Sequence, residues 1–193
     1  MAVDPGLLAD LDGRVLLAVY GGSHGAWALP MVAATVVGAG WTALALLPLL
    51  AWRRTRRFAT LLTLAVASQA TAVWALKAVV GRVRPWIAFG LPAPPGAPHD
   101  PSFPSGHAAG SFCVAAFLAV ALPVAWRHAP RGARAVAGGV LALAALIAFS
   151  RVYLGAHFPG DVAAGALLGG AIGALWGRRY ARGAVVEGAT KNG

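Results

Sequence analysis

Three short segments hold the residues whose types and spacing could do chemistry: KAVVGRVRP (77–85), PSGH (104–107) and SRVYLGAHFPGD (150–161). Lys77 and Arg84 are seven positions apart, so an unbroken helix would bring them to within about 20° of each other before Pro85 stops it. Arg151 adds a planar fork suited to phosphate oxygens. His157 stands four residues before Asp161. A carboxylate hydrogen-bonded to one imidazole nitrogen fixes the tautomer, frees the other nitrogen to attack, and stabilises the cation formed afterwards. Ser105 and Gly106 place a hydroxyl and an uncluttered backbone where a helix begins, an end whose unpaired N–H groups attract anions, and His107 can add a proton donor. Alone, each piece has a simpler reading: cations snorkelling at a span end, a helix cap with a bystander histidine, an acid favoured by the helix dipole. Together they describe a site for a phosphate monoester or diphosphate. Lys77, Arg84 and Arg151 neutralise the oxygens, one histidine attacks, and the other protonates the departing oxygen. Neither a metal nor another cofactor is called for: of the six acidic residues only Asp100 and Asp161 fall in this region, too few for a two-metal carboxylate cage.

These segments must be positioned by membrane helices. Of 193 residues, 59% are hydrophobic and 11% charged, with a mean hydropathy of +0.69, far from the roughly 25% charged composition of soluble domains. A bilayer core needs about 20 apolar residues as helix. Five stretches meet or approach this: 26–52, 58–80, 106–126, 135–152 and 161–177. The last two are short, so they are expected to tilt little or to thin the bilayer locally. In LLADLDGRVLLAVYGG (7–22), Leu7, Leu8, Leu11 and Val15 fall on one helical face while Asp10, Asp12 and Arg14 punctuate the other. This reads as a helix lying in the interface; the alternative, a sixth span, would bury those three charges. The expected fold is all-α, an integral-membrane bundle of five or six transmembrane helices with an N-terminal interfacial helix. Residues 1–25 form that helix and its lead-in, 26–180 the membrane-embedded domain, and 181–193 a cytoplasmic tail.

A net charge of +10 and a pI near 11.5 raise the question of nucleic acid. The positions of the charges answer it. RRTRR (53–57), RHAPRGAR (127–134) and the tail from GRRYARG (177–183) onward fall on one side if the spans alternate, and hold eleven of the 16 basic residues. The positive-inside rule makes that side cytoplasmic, so no nucleic-acid partner is expected. Of the remaining five, Lys77, Arg82, Arg84 and Arg151 lie at helix ends on the opposite face, where the orientation rule does not put them. Gly165, Gly169, Gly173 and Gly177 form a repeated GxxxG face for close packing within the bundle, with homodimerisation as the alternative. Cys113, the single cysteine, is assigned to packing. With Asp4, Asp10 and Asp12 where a positive leader would be, no cleavable signal peptide is expected. The proline-rich stretch 86–103 is expected to be extended and to roof the site or simply connect two spans; His99 and Asp100 within it have no assigned role. Scarce lysine beside abundant Arg, Ala and Gly points to a GC-rich bacterial genome.

K-x6-RP (Lys77 to Pro85), PSGH (Pro104 to His107) and SR-x5-H-x3-D (Ser150 to Asp161) resemble the three-part signature of the type-2 phosphatidic acid phosphatase superfamily, whose soluble relatives include vanadium haloperoxidases. The resemblance covers about residues 58–177. It implies His157 as the nucleophile that becomes phosphohistidine, Asp161 as its orienting partner, and His107 as the general acid. Lys77, Arg84, Ser105, Gly106 and Arg151 would hold the phosphate. Arg82 lies outside the pattern and is assigned to lipid headgroups or to the second phosphate of a diphosphate. Small size and a bare bundle are similar to bacterial undecaprenyl pyrophosphate phosphatases. This implies a metal-independent phosphatase in the bacterial cell membrane, its site extracytoplasmic, that recycles a polyprenyl diphosphate carrier for cell-wall synthesis. Other headgroups within the resemblance are phosphatidic acid, phosphatidylglycerol phosphate and polyprenyl-phosphoryl-pentose phosphate. A lipid phosphotransferase shares every residue named. A non-catalytic lipid transporter is disfavoured, because the ionisable groups sit at one interface and no inverted repeat is apparent.

Overall fold

The computed structural model describes residues 5–22, 25–38, 50–53 and 55–189, and among them every regular element is a helix. We number these α1 (Pro5–Val19), α2 (Ala28–Val37), α3 (Arg56–Val80), α4 (Pro85–Ala88), α5 (Gly106–Ala125), α6 (Pro130–Tyr153) and α7 (Pro159–Ala189). Four segments among the described residues are long and apolar enough to cross a membrane: Arg56–Ala88, Gly106–Ala125, Pro130–Tyr153 and Pro159–Ala184. The first expected span is represented by the ten-residue α2, and its stretch 39–49 lies outside the described residues. Large apolar side chains such as Leu29, Val79 and Leu167 point outward, as lipid-facing positions do.

The last two spans are longer than their apolar runs. α6 has 24 residues and α7 has 31, because the helices continue through Arg131, Arg134, Arg178, Arg179 and Arg182. Arginine is a good helix former, so a charge that ends a hydropathy window need not end a helix.

The α5–α7 pair sets the geometry of the bundle. A methyl at Gly169 would collide with the carbonyl of Ala109, and one at Gly173 with the carbonyl of Cys113. The GxxxG face of α7 therefore lies directly on the backbone of α5, as small residues permit. Buried Leu62, Ala65, Cys113, Phe117 and Ala121 join this pair to α3. Edge-to-face contacts of Phe58 with Phe117 and Tyr180 close that core at one end.

α1 uses a different face from the one its sequence suggests. Leu11 and Val15 are exposed, whereas Leu16 is fully buried against Val152 and Phe158, with Val19 beside it. Asp12, one turn before Leu16 and expected on the polar face, turns inward. Its carboxylate accepts from the Gly160 N–H and from Arg82, both at 2.7 Å. The inward face is thus chosen by two long-range polar contacts as well as by the apolar pattern.

Candidate active site

Two left-handed glycines aim the first and third segments at each other. Gly81, with φ of +61°, ends α3 by returning its N–H to the Lys77 carbonyl, the usual helix-terminating geometry. Lys77 and Arg84 are therefore not on one continuous helix, and their convergence comes from this turn rather than from helical periodicity. Pro85 starts α4 instead of stopping α3, and Arg84 is its extended N-cap residue. Gly155, with φ of +70°, folds the chain after α6 so that the N–H groups of Ala156 and His157 both donate to the Arg151 carbonyl. The second segment is joined to the third directly: the Ser105 N–H donates to the Asp161 carbonyl at 2.9 Å. Ser105 caps α5, its hydroxyl accepting from the Ala108 N–H at 3.5 Å, which leaves Gly106 and His107 in the open first turn.

His157 is the centre of the arrangement and only 2% exposed. Its Nε2 lies 3.2 Å from an Arg84 guanidinium nitrogen. Arginine can only donate, so Nε2 is the acceptor and the ring proton resides on Nδ1. Nδ1 faces the Ser102 hydroxyl at 3.4 Å and the Asp161 carboxylate at 3.7 Å. The expected direct hydrogen bond between histidine and aspartate is therefore replaced: 3.7 Å is too long for one, and Ser102 stands between, its hydroxyl 2.5 Å from Asp161 Oδ2. The same carboxylate oxygen accepts from the Phe158 N–H at 3.0 Å. Burial, seconded by the charges of Arg84 and Arg151, pushes the His157 pKa down to about 4 against the opposing pull of Asp161. The ring is neutral at pH 7, with the Nε2 lone pair beside a cation.

The cations converge on one place. Arg84, 3% exposed, donates to the Ala156 carbonyl, to the Asp100 carbonyl and to Asp100 Oδ1. Lys77 reaches the Pro101 carbonyl and, at 3.0 Å, Asp100 Oδ2. One carboxylate thus bridges the lysine and the arginine, as two phosphate oxygens would. Burial works against the charge of Asp100, but the hydrogen bond and charge of Lys77, joined by Arg84, outweigh it and hold the carboxyl below its ordinary range. Arg151, 4% exposed, donates to Thr35 Oγ1 at 3.1 Å, while its Nε is buried with no protein partner. A buried guanidinium whose Nε has no protein partner is suited to an anion's oxygen.

Arg82 is placed differently from its sequence assignment. Its guanidinium joins Asp161 Oδ1 and Asp12 Oδ2, each at 2.7 Å, and lies 4.0 Å over the Phe158 ring. Its partners within the protein are thus two carboxylates from different helices. Through it, α1 is connected to the carboxylate behind the central histidine. Ser102, Asp12 and Asp100 are the residues that sequence reasoning missed, while it assigns Arg82 another role. Ser102 and Asp100 had one available signal, their position within four residues before PSGH; Asp12 had none that set it apart from Asp10 on the same helix.

His107 faces a groove of about 500 Å³ between α2, α3, α5 and α6, with Lys77 and Asp100 at the same polar end and Val66, Val114, Leu143 and Ile147 along its walls. All eight residues expected at the site lie around this polar end or on the turns that build it. Among the described residues no three His, Cys, Asp or Glu side chains come together as a metal set.

Fold and site define a helical, multi-pass membrane protein with buried cations gathered around a histidine where an apolar groove ends. Residues 57–182 match the PAP2 superfamily, and the chain belongs to it. Sequence comparison with curated proteins gives no match. Among solved structures, the first transmembrane PAP2 type phosphatidylglycerolphosphate phosphatase from Bacillus subtilis is similar at a TM-score of 0.75 and 26% identity, over 90% of this chain and 86% of that one. LpxE of Aquifex aeolicus is similar at a TM-score of 0.65 and 26% identity, over 84% and 92% of the two chains.

Proposed function

We propose that the protein is a membrane lipid phosphatase working through a phosphohistidine. The observation that carries this is the Arg84 to His157 Nε2 contact, which puts an unprotonated imidazole nitrogen, the ring proton being on Nδ1, at the point where the cations converge. Phosphate oxygens replace the Asp100 carboxylate on Lys77 and Arg84, and Arg151 Nε takes a third contact. As Arg84 turns its N–H from Nε2 to the phosphate, the freed Nε2 lone pair forms the N–P bond while the P–O ester bond breaks, and His107 gives its proton to the leaving oxygen. Asp161, through Ser102, stabilises the resulting phospho-imidazolium. Water then attacks phosphorus, His107 recovers a proton from it, the N–P bond breaks, and inorganic phosphate leaves. No metal takes part in this sequence.

The apolar groove receives the lipid tail. For the headgroup, a phosphate monoester lipid such as phosphatidylglycerol phosphate or phosphatidic acid is the first candidate. A polyprenyl diphosphate needs a counter-charge for its inner phosphate, and Arg82, the cation considered for that role, is taken by Asp12 and Asp161. The phosphatase from Bacillus subtilis supports this ordering. The arginine-rich opposite end, under the positive-inside rule, turns the site away from the cytoplasm.

The test is phosphate release by detergent-purified protein in EDTA from phosphatidylglycerol phosphate, phosphatidic acid and undecaprenyl pyrophosphate, with His157→Ala alongside. EDTA-resistant turnover and an acid-labile phosphoprotein, both lost in the variant, are expected. Full activity of His157→Ala would overturn the nucleophile. Preference for the diphosphate would restore the polyprenyl substrate to first place, and phosphate passed to an added lipid alcohol would make the enzyme a transferase.

A further inference from the structure

Gln69 belongs to α3, where it is 7% exposed, and lines the apolar groove. Its Oε1 is buried and has no partner. Ser111, which lines the same groove, is already spent, donating to the His107 carbonyl at 2.8 Å. An unpaired buried amide is a cost to the fold that a hydrogen-bonding ligand would remove. An apolar side chain of the same size would avoid that cost and would line a hydrocarbon channel better. The amide also sits at a defined depth. A β-carbon on Gly110 would come 3.7 Å from Gln69 Nε2, and Gly110 follows His107 by three residues, about 4.5 Å further along α5.

We propose that Gln69 is a polar subsite for the oxygen on the second glycerol carbon of the substrate, either an ester or a free hydroxyl. This rests on the lipid-phosphatase reading and names its substrate class. With the phosphoester oxygen at His107, the next carbon is the phosphorylated CH2 and the one after it bears the second oxygen. That oxygen falls a few ångströms deeper, at the level of Gln69. The amide oxygen accepts from a hydroxyl, and the amide turned over donates to an ester carbonyl. A polyprenyl chain presents only hydrocarbon at this depth and leaves the amide unpaired.

Gln69→Leu removes the hydrogen bond while keeping the volume and the helix. In the variant, kcat/KM for phosphatidic acid and lysophosphatidic acid should fall about fivefold, as for one lost hydrogen bond in an apolar site. The value for oleyl phosphate, which has no second oxygen, should stay the same or rise. The Tm should also hold or rise, since a buried unpaired group is gone. Equal loss on all three substrates with a lower Tm would make Gln69 a packing residue, and no loss on any would remove the subsite; either overturns the proposal. Binding of diacylglycerol and of oleyl alcohol, followed by the fluorescence of Trp74 in the same groove, decides the question without turnover. Diacylglycerol alone should bind about fivefold more weakly to the variant, and unchanged binding would overturn the subsite. Wild-type protein that binds diacylglycerol in this manner yet hydrolyses none of the phosphates would count against the phosphatase reading and not against Gln69.

Discussion

Basic side chains stand at both ends of the bundle, in opposite surroundings. At one end Arg53, Arg56, Arg57 and Arg179 line an open surface hollow, with Arg57 and Arg179 lying 5.6 and 5.0 Å over the rings of Tyr180 and Trp176. At the other, Lys77, Arg84 and Arg151 are 11%, 3% and 4% exposed and are aimed by backbone carbonyls, a carboxylate and a hydroxyl. Hydrated arginines keep most of their solvation and interact weakly with fixed partners, which suits orientation in a bilayer. Buried cations have been dehydrated and aimed during folding. They can stabilise developing charge without reorganising when substrate arrives. Under the proposed function the same residue type thus serves topology at one end and chemistry at the other, and burial makes the difference.

The sharpest way to break this contrast is at Arg84. Arg84→Met should lower kcat about 10³-fold, since it removes the phosphate clamp beside His157. Arg84→Lys should recover little, because a point charge cannot hold several acceptors as the guanidinium fork does. Steady-state kinetics that show near-wild-type turnover for Arg84→Lys would contradict the geometry.

Behind the histidine the expected effects are smaller and fall on kcat. Ser102→Ala and Asp12→Asn should each cost about tenfold in kcat, with KM little changed, as for residues that position a reacting group. Arg82→Lys should retain more activity than Arg82→Gln, because it keeps a positive charge between Asp12 and Asp161. If the loss appears in KM instead, the chain from α1 to Asp161 acts on binding and the positioning role is wrong.

The pH dependence sharpens the contrast. Burial lowers the His157 pKa to about 4, below its value in an unfolded chain, about 6.5. Between these values the unfolded state binds a proton that the folded state refuses, so this group makes stability fall as pH drops from about 6.5 to 4. For the same reason the nucleophile's contribution to the acid limb of kcat/KM should fall near pH 4. A His157 titration near 6.5, followed by NMR of the labelled imidazole, would mean that the ring is not desolvated as described.

Asp100 is half exposed and occupies the cations that a phosphate would use. Asp100→Asn should reduce that competition and lower KM about threefold, the scale of a partly exposed ion pair. A raised KM would instead make Asp100 a positioning residue for Lys77. At the other end Arg53→Gln, Arg56→Gln and Arg179→Gln should change kcat/KM by less than about twofold, and a large loss there would end the division of labour between the two ends.

The helices were legible in the sequence because apolar runs and glycine spacing are local signals. The α5–α7 contact follows from Gly169 and Gly173, which meet the backbone of α5 as the GxxxG repeat implies. Helix ends were less legible: arginines that close a hydropathy window are carried on as helix in α6 and α7. The Lys77 and Arg84 pair shows how a local rule can reach a right juxtaposition by a wrong route. Helical phase was expected to align them, whereas Gly81 breaks the helix and folds Arg84 back.

Composition, periodicity and motif spacing by themselves pointed to a helical membrane bundle, the end at which Lys77, Arg84 and Arg151 gather, and the residue types of the proposed phosphate site. These depend on short-range spacing and on the cost of charge in hydrocarbon. Only the tertiary structure decided that Ser102 stands between His157 and Asp161, that Arg82 is shared by Asp161 and Asp12, and that Asp100 bridges Lys77 and Arg84. Most of these contacts join residues far apart in the chain, and a hydroxyl, an arginine or an aspartate looks the same in sequence whether water or a buried partner satisfies it. Which partner it finds depends on how the helices pack, and the α5–α7 backbone contact and the turns at Gly81 and Gly155 settle that.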